Sequence, residues 1–115
     1  MEYEQYTMPN PAYLDEAVMV AGVDASMAPT YGNGQINYGT DNYFNLAHGI
    51  TSYTYLYGSG SPITSDMSGA SAAIISDVSG GVGFANYTAH CGSSGWSDPS
   101  FSTSDVPSLQ NTNDY

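Results

Sequence analysis

Acid, base and nucleophile chemistry in this chain rests on two histidines, His48 and His90, one cysteine, Cys91, and eleven carboxylates. His90 and Cys91 stand side by side in 87-YTAHCGSSGW-96. A thiol served by an imidazole base is the apparatus of nucleophilic acyl transfer. Along an extended chain, though, adjacent side chains leave opposite faces, so these two are poorly aimed at one another. A working pair is assembled in space from separate segments, and no second cysteine is present to supply the nucleophile. Cys91 is therefore read as a buried or inert thiol whose side chain turns away from the imidazole. That leaves a base whose nucleophile lies outside the sequence.

A carboxylate can orient such a base. Asp24 follows the apolar run 17-AVMVAGV-23, and His90 follows 82-VGFANYTA-89. In an open parallel sheet, reactive groups gather beyond the carboxyl ends of the strands, so both side chains are expected at the same edge. There Asp24 would fix the tautomer of the imidazole and support its charged form. The plainer alternative is that Asp24 starts a turn and His90 is a packed loop histidine. Trp96, the sole tryptophan, either anchors the Gly/Ser-rich loop or walls a pocket for a substrate side chain. His48, His90 and Cys91 lack the spacing of a zinc site, and the scattered carboxylates form no calcium loop, so no metal ligand is assigned.

The elements that must position these residues follow from periodicity. Residues 17–23, 50-ITSYTYLY-57 and 82–89 read as strands, the first Val-rich and buried on both faces. Pro and Gly-Asn-Gly mark 25–39 as a loop. A short helix is expected over 40–49, capped by Thr40, with Asp41 in its first turn and Gly49 past its end. After the polar loop 58–69, a second helix runs over 70-ASAAIISDVSG-80, with Ala70, Ala73, Ile74 and Val78 on one face. The Gly-rich 80-GGVGF-84 precedes a strand, which makes it a close-packing turn and no phosphate loop. A third helix is expected within 102–115, with Pro107 in its first turn. Alternating strands and helices give the fold class as α/β, with a parallel sheet flanked by helices.

At 115 residues the chain is at most one domain. A net charge of -11 with no Lys or Arg removes the electrostatic footprint of a nucleic-acid binder and the polybasic contact of an anionic membrane surface. No run of 18 apolar residues offers a membrane span, and the N-terminal stretch lacks the basic and apolar regions of a signal peptide.

The segments 83-GFANYTAH-90 and 96-WSDPS-100 resemble the catalytic-histidine region of the gingipain-type cysteine peptidases, closest to the Lys-specific branch. The likeness continues through 9-PNPAYL-14, 20-VAGVDAS-26, 38-YGTDNYFN-45 and 47-AHG-49. The resemblance implies a caspase-like fold, with residues 1–115 forming the His-bearing part of a catalytic domain. By position, His90 resembles the catalytic base, Asp24 the third member of the triad, and Trp96 an aromatic wall of the pocket for the residue before the scissile bond. The family has Gly after the histidine, supplying an oxyanion-hole N–H. Cys91 takes that place here and keeps the N–H but not the conformational freedom.

The resemblance further implies that the nucleophilic Cys and the acidic specificity residue lie on a remainder of the domain beyond this chain, so the isolated piece is expected to be inactive. It implies protein or peptide substrates, a secreted or bacterial cell-surface location, and calcium in the full-length family domain. No cofactor is evident within these residues. A non-catalytic, peptidase-like interaction or structural module is the other reading, with Cys91 as a sign of relaxed constraint.

Overall fold

The computed structural model describes residues 11–63 and 67–111. Three parallel strands, β1 (Glu16–Ala21), β2 (Thr51–Tyr55) and β3 (Phe84–Thr88), form one sheet in the order β2-β1-β3. Two helices, α1 (Asn33–Asn42) and α2 (Met67–Gly80), cover it.

The apolar run at residues 17–21 explains the layering. Side chains alternate across a strand, so Val18 and Val20 pack with Tyr55, Ile63, Ala70 and Ile74 on the α2 face. Ala17, Met19 and Ala21 pack with Ile36 of α1 on the other face. Val18, Val20, Ile36, Ile63 and Ile74 are fully buried, each side chain worth about 1.5–3 kcal/mol in removal from water. The three expected strands are present: β1 starts one residue earlier and stops two sooner than expected, while β2 and β3 are trimmed at both ends. Gly83, in the expected close-packing turn, lies so near the Leu14 backbone that a Cβ there would sit 2.8 Å from Leu14 Cα.

Three sequence expectations are overturned. Residues 25–39 are not a loop: a π-helical turn, Ala28–Gly32, leads into α1. Asn33, Gly34, Asn37 and Gly39 are poor helix formers, yet burial of Ile36 against β1 outweighs local preference. The Asn33 amide adds a tertiary tie, donating to the Tyr57 carbonyl at 2.6 Å and accepting the Tyr57 N–H at 2.9 Å.

The helix expected at 40–49 is likewise absent. Thr40 lies inside α1, its hydroxyl bonded back to the Ile36 carbonyl at 3.0 Å, and only a 3-10 turn, Leu46–His48, follows. Asn45 caps that turn by accepting the Ala47 N–H at 3.0 Å, and Gly49 closes it at φ 76°.

The third helix reduces, among the described residues, to a 3-10 turn at Val106–Ser108 that contains Pro107. Ser102 and its backbone N–H bond the Asp105 carboxylate, and the rest of the expected helix, 112–115, lies outside the described residues. A small antiparallel sheet that sequence reading missed fills 91–102: β4 (Cys91–Gly92), β5 (Gly95–Trp96) and β6 (Phe101–Ser102).

Ile74→Ala is expected to cost about 2–5 kcal/mol, as a large-to-small change at a fully buried site. Leu46→Ala, at a side chain 80% exposed, should stay within about 0.5 kcal/mol. Urea denaturation midpoints at unchanged slope measure both.

Candidate active site

The chain leaves β1 toward α1 and leaves β3 toward the opposite face, where Trp96 and β6 pack on the α2 side. Adjacent parallel strands whose exits diverge open a crevice at their carboxyl ends. Asp24 and His90 lie just past the carboxyl ends of β1 and β3, where that rule places a site. The Nε2 atom of His90 lies 3.2 Å from Oδ2 of Asp24.

Asp24 reaches this place because β1 is prolonged past its last residue. The Gly22 N–H donates to the Thr88 carbonyl at 3.2 Å, and the Val23 N–H to the Asp98 carbonyl at 2.8 Å. Gly22 is required by close approach, since a Cβ there would come within 2.7 Å of both Ala89 Cβ and Tyr87 Cε2. Beyond Val23 the carboxylate divides its oxygens. Oδ1 accepts the Ser26 hydroxyl at 2.7 Å and the N–H groups of Ser26 and Met27 at 3.0 and 3.1 Å. Oδ2 is left for the imidazole. The turn-starting and histidine-orienting readings of Asp24 thus describe one side chain. The Ser26 hydroxyl first, then the Met27 and Ser26 N–H groups, hold its carboxyl below the usual range, with the His90 charge a smaller pull in the same direction.

His90 is the less enclosed partner, with its side chain 80% exposed against 22% for Asp24. An ion pair this open to water adds little to stability, so it is above all a geometric arrangement. The expectation of a packed loop histidine does not hold.

Cys91 is exposed, against the reading of a buried thiol, because its two-residue strand lies at the surface of the small sheet. The Ser97 N–H donates to the His90 carbonyl at 3.2 Å, while Cys91 pairs with Trp96 and Gly92 with Gly95. By the alternation of antiparallel ladders, Cys91–Trp96 is a pair that exchanges no hydrogen bonds, so the Cys91 N–H points away from β5.

Trp96 stacks on Tyr87 with centroids 4.6 Å apart and planes at 6°, and meets Phe101 at 5.2 Å. It anchors the small sheet to the α2-side core. His48 lies apart from the crevice, its Nδ1 3.1 Å from Asn45 Oδ1 on an exposed turn.

Two features escaped sequence reading. The Ser26 bond to Asp24 had a local signal in 24-DAS-26, the pattern of an Asx turn. The Tyr87 hydroxyl, bonded to the His90 and Asp98 carbonyls at 2.9 and 3.2 Å, had none, because its partners are backbone atoms brought near by the fold. Among the described residues no group of three His, Cys, Asp or Glu side chains converges on a metal site. No helix among them is long and apolar enough to cross a membrane.

Comparison with known proteins bears on this arrangement. Residues 1–115 match the profile described as Peptidase family C25. Lys-gingipain HG66 of Porphyromonas gingivalis is 39% identical over 113 residues, and a second Lys-gingipain of that organism 38% identical over 113. Each match covers 98% of this chain but 6% of the relative. A solved structure described as "Structure of Protease" is similar at a TM-score of 0.79 and 36% identity, over 99% of this chain and 23% of that one.

Because the folded pKa of Asp24 is lowered, the bonds it makes stabilise the fold fully above its ordinary value of 3.8 and are lost as pH falls through the folded value. Carboxyl carbon shifts followed by NMR should place the Asp24 midpoint below 3.8. Ser26→Ala, which removes the largest cause, should move it upward.

Proposed function

The chain belongs to Peptidase family C25, and we propose that it is the His-bearing portion of a gingipain-like cysteine endopeptidase domain, caspase-like in fold, that cleaves peptide bonds after a basic residue. The observation that carries this reading is the 3.2 Å contact of His90 with Asp24 at the carboxyl ends of β1 and β3.

The chemistry divides among few groups. With Nε2 engaged by Asp24, Nδ1 of His90 is the ring atom that takes a proton from the nucleophilic thiol and later delivers it to the leaving amine. Asp24 holds the tautomer and supports the imidazolium as it forms. The N–H of Cys91, turned away from β5, contributes to the oxyanion hole, where one donor is worth roughly 10²–10³-fold in rate. Trp96 offers an aromatic wall to the substrate side chain.

The nucleophilic Cys is supplied by the remainder of the domain, on a strand beside β3, whose outer edge has no strand partner among the described residues. Alone, residues 1–115 would then be inactive. Substrates are proteins or peptides, and a net charge of -11 without a single Lys or Arg favours approach of cationic segments. The family resemblance supports a location outside the cell or on a bacterial surface.

Co-expression of residues 1–115 with the downstream part of the catalytic domain is expected to give hydrolysis of Lys or Arg peptide substrates, with none from residues 1–115 alone. His90→Ala should lower kcat by roughly 10⁴-fold. Activity of the isolated chain, or reconstituted activity that survives His90→Ala, would overturn the mechanism and favour an interaction module.

A further inference from the structure

We propose that Tyr87 is the positioning residue of the Asp24–His90 pair, its hydroxyl joining the ends of β1 and β3 at the separation where carboxylate and imidazole meet. This rests on reading that pair as a proton-transfer unit.

His90 raises the question. Its imidazole is 80% exposed, so packing does not hold the ring beside Asp24. Asp24, by contrast, is held by three bonds from Ser26 and Met27. The position of His90 must come from its backbone. Two donors hold its carbonyl: the Ser97 N–H at 3.2 Å and the Tyr87 hydroxyl at 2.9 Å.

The same hydroxyl faces the Asp98 carbonyl at 3.2 Å and accepts the Asp98 N–H at 3.3 Å. The Asp98 carbonyl in turn accepts the N–H of Val23 at 2.8 Å, the residue before Asp24. One phenol oxygen therefore reaches the backbone of His90 directly and that of Val23, the neighbour of Asp24, through a single intervening carbonyl.

A phenol serves here because it donates and accepts at once. Burial raises its pKa above the ordinary 10.0, which keeps it a donor across the neutral range. The ring is fixed as well. It stacks on Trp96 at 4.6 Å, and its Cε2 edge fills the space that a side chain at Gly22 would need. With the ring clamped between Trp96 and β1, the hydroxyl cannot follow a drifting His90 and instead restrains it.

The test uses the 115-residue chain and imidazole nitrogen shifts by NMR at a pH where both histidines are neutral. Asp24 as acceptor at Nε2 favours the Nε2–H tautomer of His90, and His48, away from the crevice, is the internal reference. Tyr87→Phe keeps the stacked ring and removes only the hydroxyl. The His90 nitrogen shifts should move toward those of Asp24→Asn, with His48 unchanged, and the double variant should move no further.

A folded Tyr87→Phe chain with wild-type His90 shifts would overturn the proposal and leave the Asp24–His90 reading intact. Shifts unchanged in Asp24→Asn would overturn both. A Tyr87→Phe chain that fails to fold would also overturn it, since the hydroxyl would then determine the fold rather than the pair.

Discussion

No face of β1 is left to water, and both of its edges are paired, to β2 and β3. Everything else in the described structure is arranged around that strand. Because its residues 17–21 are all buried, an apolar layer must cover each side of the sheet, and the chain supplies one helix for each. Because its backbone groups need partners away from water, strands must lie on both sides. The connection through α1 leads to β2 and the connection through α2 crosses back to β3, so the neighbouring exits of β1 and β3 diverge. The placing of Asp24 and His90 at neighbouring strand ends is a product of that topology.

An exposed pair worth so little in free energy cannot organise its surroundings. It is organised by them, through backbone bonds from Gly22 to Thr88 and from Val23 to Asp98 that continue β1 past its formal end. Preorganisation of this kind is what the catalytic role proposed for the pair would need, since such geometry must be maintained before substrate arrives. The carboxylate is shared between a turn and an imidazole, so the feature that fixes Asp24 is also the feature that leaves one of its oxygens for His90.

The absence of Lys and Arg has a structural counterpart. Carboxylates elsewhere are often met by cations, but here neutral donors meet them. The Tyr53 hydroxyl donates to Glu16, the Tyr55 hydroxyl to Asp77 and the Ser102 hydroxyl to Asp105. The phenols respond accordingly. Burial followed by the Asp77 bond raises the pKa of Tyr55, and the Glu16 bond raises that of Tyr53. With 11 tyrosines, the chain has a ready supply of side chains that bury an aromatic ring and still offer a donor.

Apolar patterning was legible in the sequence, since it acts between near neighbours. Val18 and Val20 against Ala17 and Met19, the helical face of Ala70 and Ile74, the tight turn at Gly83, and the placing of Asp24 and His90 at strand ends could all be read from local pattern. The family motifs around His90 could be read as well. The fold alone decided that Asn33–Asn42 is helical, because the buried contact of Ile36 and the amide tie to Tyr57 come from residues distant in sequence and outweigh a composition of Asn and Gly. It alone ended the helix expected from Thr40, whose hydroxyl found α1 carbonyls instead. The small sheet after His90 depends on Trp96 stacking against Tyr87, and the hydroxyl of Tyr87 bonds carbonyls of His90 and Asp98. Backbone carbonyls are alike at every residue, so no side-chain pattern marks the ones that become partners. Only the folded path of the chain brings them within hydrogen-bond reach.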